Sequence, residues 1–205
     1  MKDEMDILKE IGNIAAAHGS IALSEILGRK IVLNVPVVRV VSCKEIEETV
    51  HIKGMSIALQ NKILSGLKGK IIFVLEEKSA YRFIDICYKF DKEIKEGSVF
   101  TEIGMSLIKE IGGVVISTYI NALGYYLKKI IVPSLPVLIN APFFEIIKII
   151  TSDYKALDSL VVIESNFEEV KEKIKGNFWL LLTPEAAQDI TSSCKKLLES
   201  FEKKL

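Results

Sequence analysis

The sequence has few of the residues on which metal and redox sites depend. It contains three cysteines (Cys43, Cys87 and Cys194) and two histidines (His18 and His51) in 205 residues. The cysteines are odd in number, widely separated and without a CxxC pair, a pattern that favours reduced thiols over a disulfide framework. Neither histidine has a cysteine or an acidic residue at ligand spacing, so the sequence predicts no metal site.

The chain also lacks the short motifs of several common enzyme classes. No GxxxxGK[ST], GxGxxG or GxSxG segment occurs, so no nucleotide-binding loop or serine nucleophile is predicted. The 27 basic and 27 acidic residues balance, so no bulk charge favours a nucleic acid partner. The most apolar stretch, residues 130–150, contains three prolines and two charged residues, which argues against membrane insertion. The N-terminus has no apolar signal sequence, and together with the thiols this predicts a cytoplasmic protein.

A repeated octet is the main positive feature of the sequence. Residues 6–13 are DILKEIGN, and residues 106–113, one hundred positions later, are SLIKEIGG. Further identities occur at the same offset, and each octet is followed at the same distance by a proline, Pro36 or Pro136. The sequence therefore predicts an internal duplication.

Each copy has the pattern of a helix, strands and a second helix. Helical spacing begins at Asp3 and stops at Gly28, and glycine is common just past a helix end. Strand-type segments follow, and the proline in the first of them marks an edge or a bend. Two such units should associate about a pseudo-twofold axis, which predicts an α+β fold with one antiparallel sheet flanked by helices. We expect a single domain, residues 1–205, built of repeats at about 1–97 and 98–205.

The first octet places polar side chains along one side of its predicted helix. Asp6, Glu10 and Asn13 are separated by four and three residues, a spacing that aligns them in one strip. A carboxylate and a primary amide one turn apart can act together on a molecule outside the chain. Gly12 beside the strip serves either close packing against a neighbouring element or access for a partner's backbone, and the sequence favours neither. His18 falls toward the apolar side and is expected to be packed and hydrogen-bonded.

The first copy also contains a longer motif. Its spacing is D-x3-E-x2-N followed by 22 residues and a proline, complete in Asp6, Glu10, Asn13 and Pro36. This motif resembles the signature D/S-x3-E-x2-N-x22-P of the CheC/CheX/FliY phosphatase family of bacterial chemotaxis. The resemblance to CheC-type members covers essentially the whole chain. It implies a hydrolase that accelerates loss of the phosphoaspartate of the response regulator CheY.

The resemblance implies a role for each residue of the motif. Glu10 would dock the regulator by pairing with its active-site lysine, and the Asn13 amide would hold the attacking water. Asp6 would tune or orient Glu10, and Pro36 would shape the strand beneath the site. The chain would need no cofactor of its own, because the Mg²⁺ ion is expected on the regulator.

The second copy departs from the motif. Its four positions are Ser106, Glu110, Gly113 and Pro136, so glycine stands where the first copy has asparagine. Glycine has no side chain that could orient a water, and Glu110 is then at most a docking residue without catalysis. The sequence therefore predicts one working site, in the first copy, and a degenerate second one.

Two other functions fit the same resemblance. CheC-like proteins also bind the receptor deamidase CheD, so the chain could be a CheD-binding adaptor that senses phosphorylated CheY and has little catalysis of its own. A predicted helix after Pro142, which contains Phe143 and Phe144, is the candidate surface for that partner. A structural part of the flagellar motor is the weaker alternative, because the 205 residues contain no switch-type domain.

Overall fold

The structure is a computed structural model, and it describes residues 2–42, 46, 54–88 and 102–202. The helices of these ranges are α1 (Lys2–Leu27), α2 (Glu77–Tyr88), α3 (Glu102–Leu127), α4 (Phe143–Thr151) and α5 (Pro184–Glu202). The strands are β1 (Ile31–Leu33), β2 (Val37–Ser42), β3 (Met55–Ser65), β4 (Gly69–Glu76), β5 (Val132–Pro133), β6 (Val137–Pro142), β7 (Ser159–Glu169) and β8 (Ile174–Leu182). The fold is α+β, as predicted from the sequence.

The eight strands form one antiparallel sheet in the order β1-β7-β8-β4-β3-β5. Strand β2 continues along β7 after β1, and β6 continues along β3 after β5. Each proline-containing segment therefore pairs with the hairpin from the other part of the chain, and strands β4 and β8 join the two hairpins. This reciprocal pairing is what a twofold relation between two repeats requires. The proposed boundary near residue 97 lies outside the described residues, so the division into repeats stays a prediction.

The first helix ends where the sequence predicted, and Pro36 interrupts the strand segment that follows it. Helix α1 ends before Gly28, whose φ of 57° is the left-handed conformation that glycine adopts without steric cost. Pro36 then separates β1 from β2, because proline has no N–H to donate to a strand ladder. The amide of Asn34 still donates to the carbonyl of Asn166 at 2.8 Å, which keeps this segment on β7. The loop that contains Pro36 is thus held against the sheet.

Apolar side chains fill both faces of the sheet. On one face, beneath α1, α2, α3 and α5, the rings of Phe73, Phe167 and Phe178 pack with centroids 5.1–5.6 Å apart. On the other face, Phe143 of α4 meets Trp179 edge-on at 5.5 Å. Burial of side chains of this size contributes roughly 1.5–3 kcal/mol each. The helix predicted after Pro142 is confirmed as α4.

Helix α3 contacts α1, α2 and α5 in the helical layer. It is the one helix in the described ranges that is long and apolar enough, by composition, to cross a membrane. Its apolar side chains, among them Ile108, Val115 and Tyr119, are buried in the core. At Gly19 of α1, an added Cβ would lie 3.5 Å from the carbonyl oxygen of Val115. The two 26-residue helices, α1 and α3, therefore pack closely, and each presents one side to solvent.

Candidate functional site

The predicted strip lies on the solvent side of α1. Asp6 and Glu10 are exposed, and Asn13 is half-buried. Residues three or four apart on a helix have Cβ atoms about 5–6 Å from each other, so Glu10 and Asn13 are neighbours. Within the described residues, none of these three side chains makes a hydrogen bond or an ion pair. Their polar groups are therefore available to an external molecule.

The acidic residues in the first turn of α1, unlike those of the strip, have an ion-pair partner. Asp3 and Glu4 lie 3.4 and 3.9 Å from the amine of Lys195 in α5. Both carboxylates are stabilised by the positive, N-terminal end of the helix dipole. Their ion pairs with Lys195 hold this end of α1 against α5. The acidic residues in the N-terminal part of α1 thus divide into a structural pair, Asp3 and Glu4, and the strip, which begins at Asp6.

Gly12 and Pro36 determine how closely the part of α1 that carries the strip packs against the sheet. A Cβ at Gly12 would overlap the Cγ2 methyl of Ile163 in β7 and would lie 3.9 Å from the Cβ of Pro36. Pro36 is buried at this point, beneath the turn that carries Asn13. The glycine therefore lets α1 approach β7 more closely than any side chain would permit. Of the two interpretations of Gly12, close packing is the one that the structure supports.

The second copy has the same scaffold and different chemistry. Ser106 and Glu110 are exposed on α3, whereas Gly113 and Pro136 are half-buried. An added Cβ at Gly113 would meet nothing within 4 Å, so packing does not require glycine there. At Gly112, by contrast, an added Cβ would lie 2.8 Å from the Cδ2 atom of Leu59. The packing glycine thus recurs in both copies, and the second one lacks an amide that its surroundings would accommodate.

The loop before the second proline is held by different contacts. The Ser134 amide donates to the carbonyl of Lys62 at 2.7 Å, and the Asn61 side chain donates to the Ser134 carbonyl at 2.6 Å. These bonds fix the loop to β3, where the first copy uses only a backbone bond to β7 among its described contacts. The sequence repeat therefore does not extend to the polar contacts around Pro136.

His18 does not lie where the sequence placed it. It is exposed, and its ring lies beside that of Tyr126 of α3, with centroids 6.5 Å apart. The prediction of a packed histidine was wrong because the buried side of α1 is narrower than the apolar pattern suggests. Gly19, the next residue, is the one that packs inward, with an added Cβ 3.3 Å from the ring of Phe178.

Sequence reasoning also missed a group of exposed apolar residues near His18. Ile21 is 56% exposed, and Tyr125 and Tyr126 at the end of α3 are 69% and 39% exposed. They were overlooked because apolar residues within an apolar helix are usually core residues. The available signal was position, since Tyr125 and Tyr126 lie in the last turn of α3, which ends at Leu127.

The described cysteines offer no nucleophile. Cys87 and Cys194 are free thiols, and Cys43 lies outside the described residues. Burial raises the pKa of Cys87 to about 11 and also raises the pKa of Cys194. Both thiols are therefore protonated at neutral pH, the weakly nucleophilic form.

One comparison with known proteins falls on the motif. Residues 4–40, which contain the strip and Pro36, match the CheC-like family. The curated protein "CheY-P phosphatase CheC" of Bacillus subtilis (strain 168) is 28% identical over 137 residues, 66% of this chain. That alignment spans 65% of the relative, just under two thirds of its length.

Two solved structures extend the similarity to the fold. FliY of Thermotoga maritima matches 96% of this chain and 98% of its own, with a TM-score of 0.77 and 23% identity. The matched segment and the Bacillus subtilis relative support a resemblance to the CheC/CheX/FliY family, and the FliY structure supports the fold. The CheX-CheY-BeF3-Mg²⁺ complex from Borrelia burgdorferi matches 84% of this chain and 96% of the matched chain, with a TM-score of 0.53 and 17% identity. The resemblance predicted from the motif is confirmed, and the CheC-like match falls on the first octet and its proline.

Proposed function

We propose that this chain is a protein aspartyl-phosphate phosphatase that acts on a CheY-type response regulator. The observation that carries the proposal is the pair of an exposed Glu10 and a half-buried Asn13 inside the CheC-like segment, neither with a side-chain partner in the described structure. The name of the Bacillus subtilis relative supports phosphorylated CheY as the substrate. The Borrelia burgdorferi complex supports a CheY-type protein as the partner.

The amide of Asn13 would position the attacking water. In hydrolysis of an aspartyl phosphate, the water oxygen attacks phosphorus, the bond from phosphorus to the carboxylate oxygen breaks, and inorganic phosphate leaves. This reaction depends mainly on an in-line nucleophile and on neutralised charge. A primary amide can accept a hydrogen bond from the water and donate another, which fixes its orientation. Because the amide is neutral, it is not repelled by the phosphoryl oxygens.

Glu10 would dock the regulator and take no part in the attack. Its carboxylate would be repelled by the phosphoryl group, so its favourable position is beside a cation on the partner. In this family that cation is the active-site lysine of the regulator. Asp6, one turn earlier, would add negative charge to the same contact and orient Glu10. The Mg²⁺ ion is assigned to the regulator, so this chain would need no cofactor of its own.

Only the first copy would hydrolyse the phosphate. Glu110 is exposed as Glu10 is, but Gly113 has no group that could hold a water. Ser106 stands in the place of Asp6, which leaves one carboxylate fewer on that surface. The second strip would therefore dock a regulator weakly through Glu110 and release it unchanged.

The test is the decay of a phosphorylated CheY-type regulator with and without the chain. We expect wild type to accelerate the decay and Asn13→Ala to lose at least about 100-fold of that acceleration, because the water is no longer positioned. The matched control is Asn121→Ala, which removes an exposed amide from α3. Equal activity of wild type and Asn13→Ala would overturn the proposed role of the amide.

The alternative is an adaptor for CheD, and one surface favours it. Phe144 of α4 is 53% exposed, with the amine of Lys148 5.3 Å above its ring, while Phe143 is buried. The helix is fixed to the sheet by Lys70, which is buried and donates to the carbonyl of Ile150 at 2.5 Å. An exposed aromatic side chain on a fixed helix is typical of a protein-binding surface.

The two functions can be separated by two variants. Phe144→Ala should weaken CheD binding and leave decay of the phosphorylated regulator unchanged. Asn13→Ala should abolish the accelerated decay and leave CheD binding unchanged. A chain that binds CheD but does not accelerate decay would favour the adaptor.

A further inference from the structure

A cluster of exposed rings and one aliphatic side chain lies on the solvent side of α1 and α3. This aromatic patch consists of His18 and Ile21 of α1 with Tyr125 and Tyr126 of α3. The two tyrosine rings meet edge-on, with centroids 5.4 Å apart, and the Lys128 amine lies 4.4 Å above the ring of Tyr125. The rings thus support one another at the surface without being buried.

The aromatic patch continues the strip along α1. Ile21 follows Glu10 by eleven residues, about three full turns, so the two side chains leave the helix in nearly the same direction. His18 follows Asn13 by five residues, about 7.5 Å along the helix axis and about 140° around it, so its ring lies on the side of α1 that meets Tyr126 of α3. A protein interface of ordinary size covers about 800 Å² on each partner, which is enough to include both surfaces. A regulator held at Glu10 and Asn13 would therefore reach the patch.

The equivalent surface of the second copy is different. At an offset of one hundred residues, the positions that correspond to His18 and Ile21 are Thr118 and Asn121, and those that correspond to the two tyrosines are Glu25 and Ile26. Only the aliphatic side chain of Ile26 resembles the residues of the patch. The aromatic groups are thus found beside the copy that also has Asn13.

Packing does not account for the two tyrosines. Tyr125 is 69% exposed, so most of its ring contributes nothing to the core. Tyrosine is enriched in the centres of protein interfaces, where its ring buries a large apolar area at a small entropic cost. A contiguous apolar surface beside a reactive strip is typical of a docking site.

We propose that the aromatic patch is the specificity-determining part of the docking surface for the response regulator at the first site. This inference rests on the proposed function, because the occupant is the same regulator molecule on which Glu10 and Asn13 act. The patch supplies affinity and partner choice, and the strip supplies the chemistry. The second strip, without an aromatic neighbour, binds the regulator more weakly.

The experiment measures binding and turnover separately. A CheY-type regulator loaded with BeF3⁻ and Mg²⁺ is titrated with wild type, Tyr125→Ala, Tyr126→Ala and the matched controls Glu25→Ala and Ile26→Ala. We expect each tyrosine variant to raise Kd about tenfold, as loss of an interface anchor does, and each control to change it less than twofold. In the decay assay, the tyrosine variants should raise KM and keep kcat, whereas Asn13→Ala should lower kcat and keep Kd.

Each outcome discriminates between the two proposals. If Kd is unchanged in both tyrosine variants and wild type is active, the docking role of the patch is overturned and the proposed phosphatase function stands. A lower kcat with unchanged KM would also overturn it, because the tyrosines would then act on the reaction. A wild type that neither binds the regulator nor accelerates decay would overturn the proposed function and the patch together. Thermal unfolding of each variant checks the fold, which exposed side chains should not disturb.

Discussion

The two octets have the same packing and differ in the group that faces solvent. Gly12 and Gly112 each bring a helix close to a strand, whereas an asparagine at position 13 corresponds to Gly113 in the second copy. The surroundings of Gly113 leave space for a side chain, so its absence has no packing cause. The comparison separates the repeated residues that the fold needs from the single residue that the proposed chemistry needs.

The largest loss of phosphatase activity should follow from a substitution that leaves the side chains of the strip unchanged. Gly12→Ala places a methyl group against Ile163 of β7, and the stiff β-branched side chain cannot turn away from it. We expect α1 to shift by several tenths of an ångström at Asn13 and the accelerated decay to fall about 100-fold. The decay assay measures this loss, and thermal unfolding should show a destabilisation of about 1–3 kcal/mol.

The matched control for this change is Gly112→Ala. Its new methyl would meet the far end of Leu59, a flexible side chain, so the helix should move less. Activity should stay near that of wild type, because the second copy is not the working site. Ile163→Leu removes the opposing Cγ2 methyl and should restore part of the activity lost in Gly12→Ala. Equal losses in the two alanine variants would contradict a positioning role for Gly12.

A smaller change in kcat/KM should distinguish Glu10 from Glu110. Glu10→Gln removes the charge that would pair with the regulator's lysine, and we expect kcat/KM to fall about tenfold. Glu110→Gln should change kcat/KM by less than twofold, because that strip does not hydrolyse the phosphate. The Glu10→Gln loss should also shrink in high salt, since an exposed ion pair is screened. Similar losses at both positions would mean that both strips take part in turnover.

The sequence was sufficient for the fold because its strongest signals are local. Gly28 ends α1 and Pro36 interrupts the strand, and each follows from the backbone chemistry of one residue. The identities at an offset of one hundred residues then indicated two related halves, and their expected pseudo-twofold association predicted one antiparallel sheet. The ends of β3 at Ser65 and of β7 at Glu169 were not predicted, because the ends of strands depend on their partners.

The surface around the strip was not predictable in the same way. His18 and Tyr126 are 108 residues apart and meet only because α1 packs beside α3. The contact between Gly12 and Ile163 likewise depends on the helix and β7 being brought together by the whole sheet. Helical periodicity shows which residues share a side of one helix, but the neighbouring helix determines how much of that side remains exposed.

The smallest effect should come from giving the second strip its missing amide. Gly113→Asn adds a side chain where its Cβ meets nothing within 4 Å, so the fold should tolerate it. In wild type the total activity can at most double, and we expect less, because Ser106 and the missing aromatic patch weaken docking there. In the Asn13→Ala background the same change should restore measurable decay, which makes the gain visible against a low baseline. No recovery in that background, with a folded protein, would mean that the second copy differs from the first in more than its asparagine, and the loop before Pro136, which Asn61 and Ser134 hold differently, would be the first place to look.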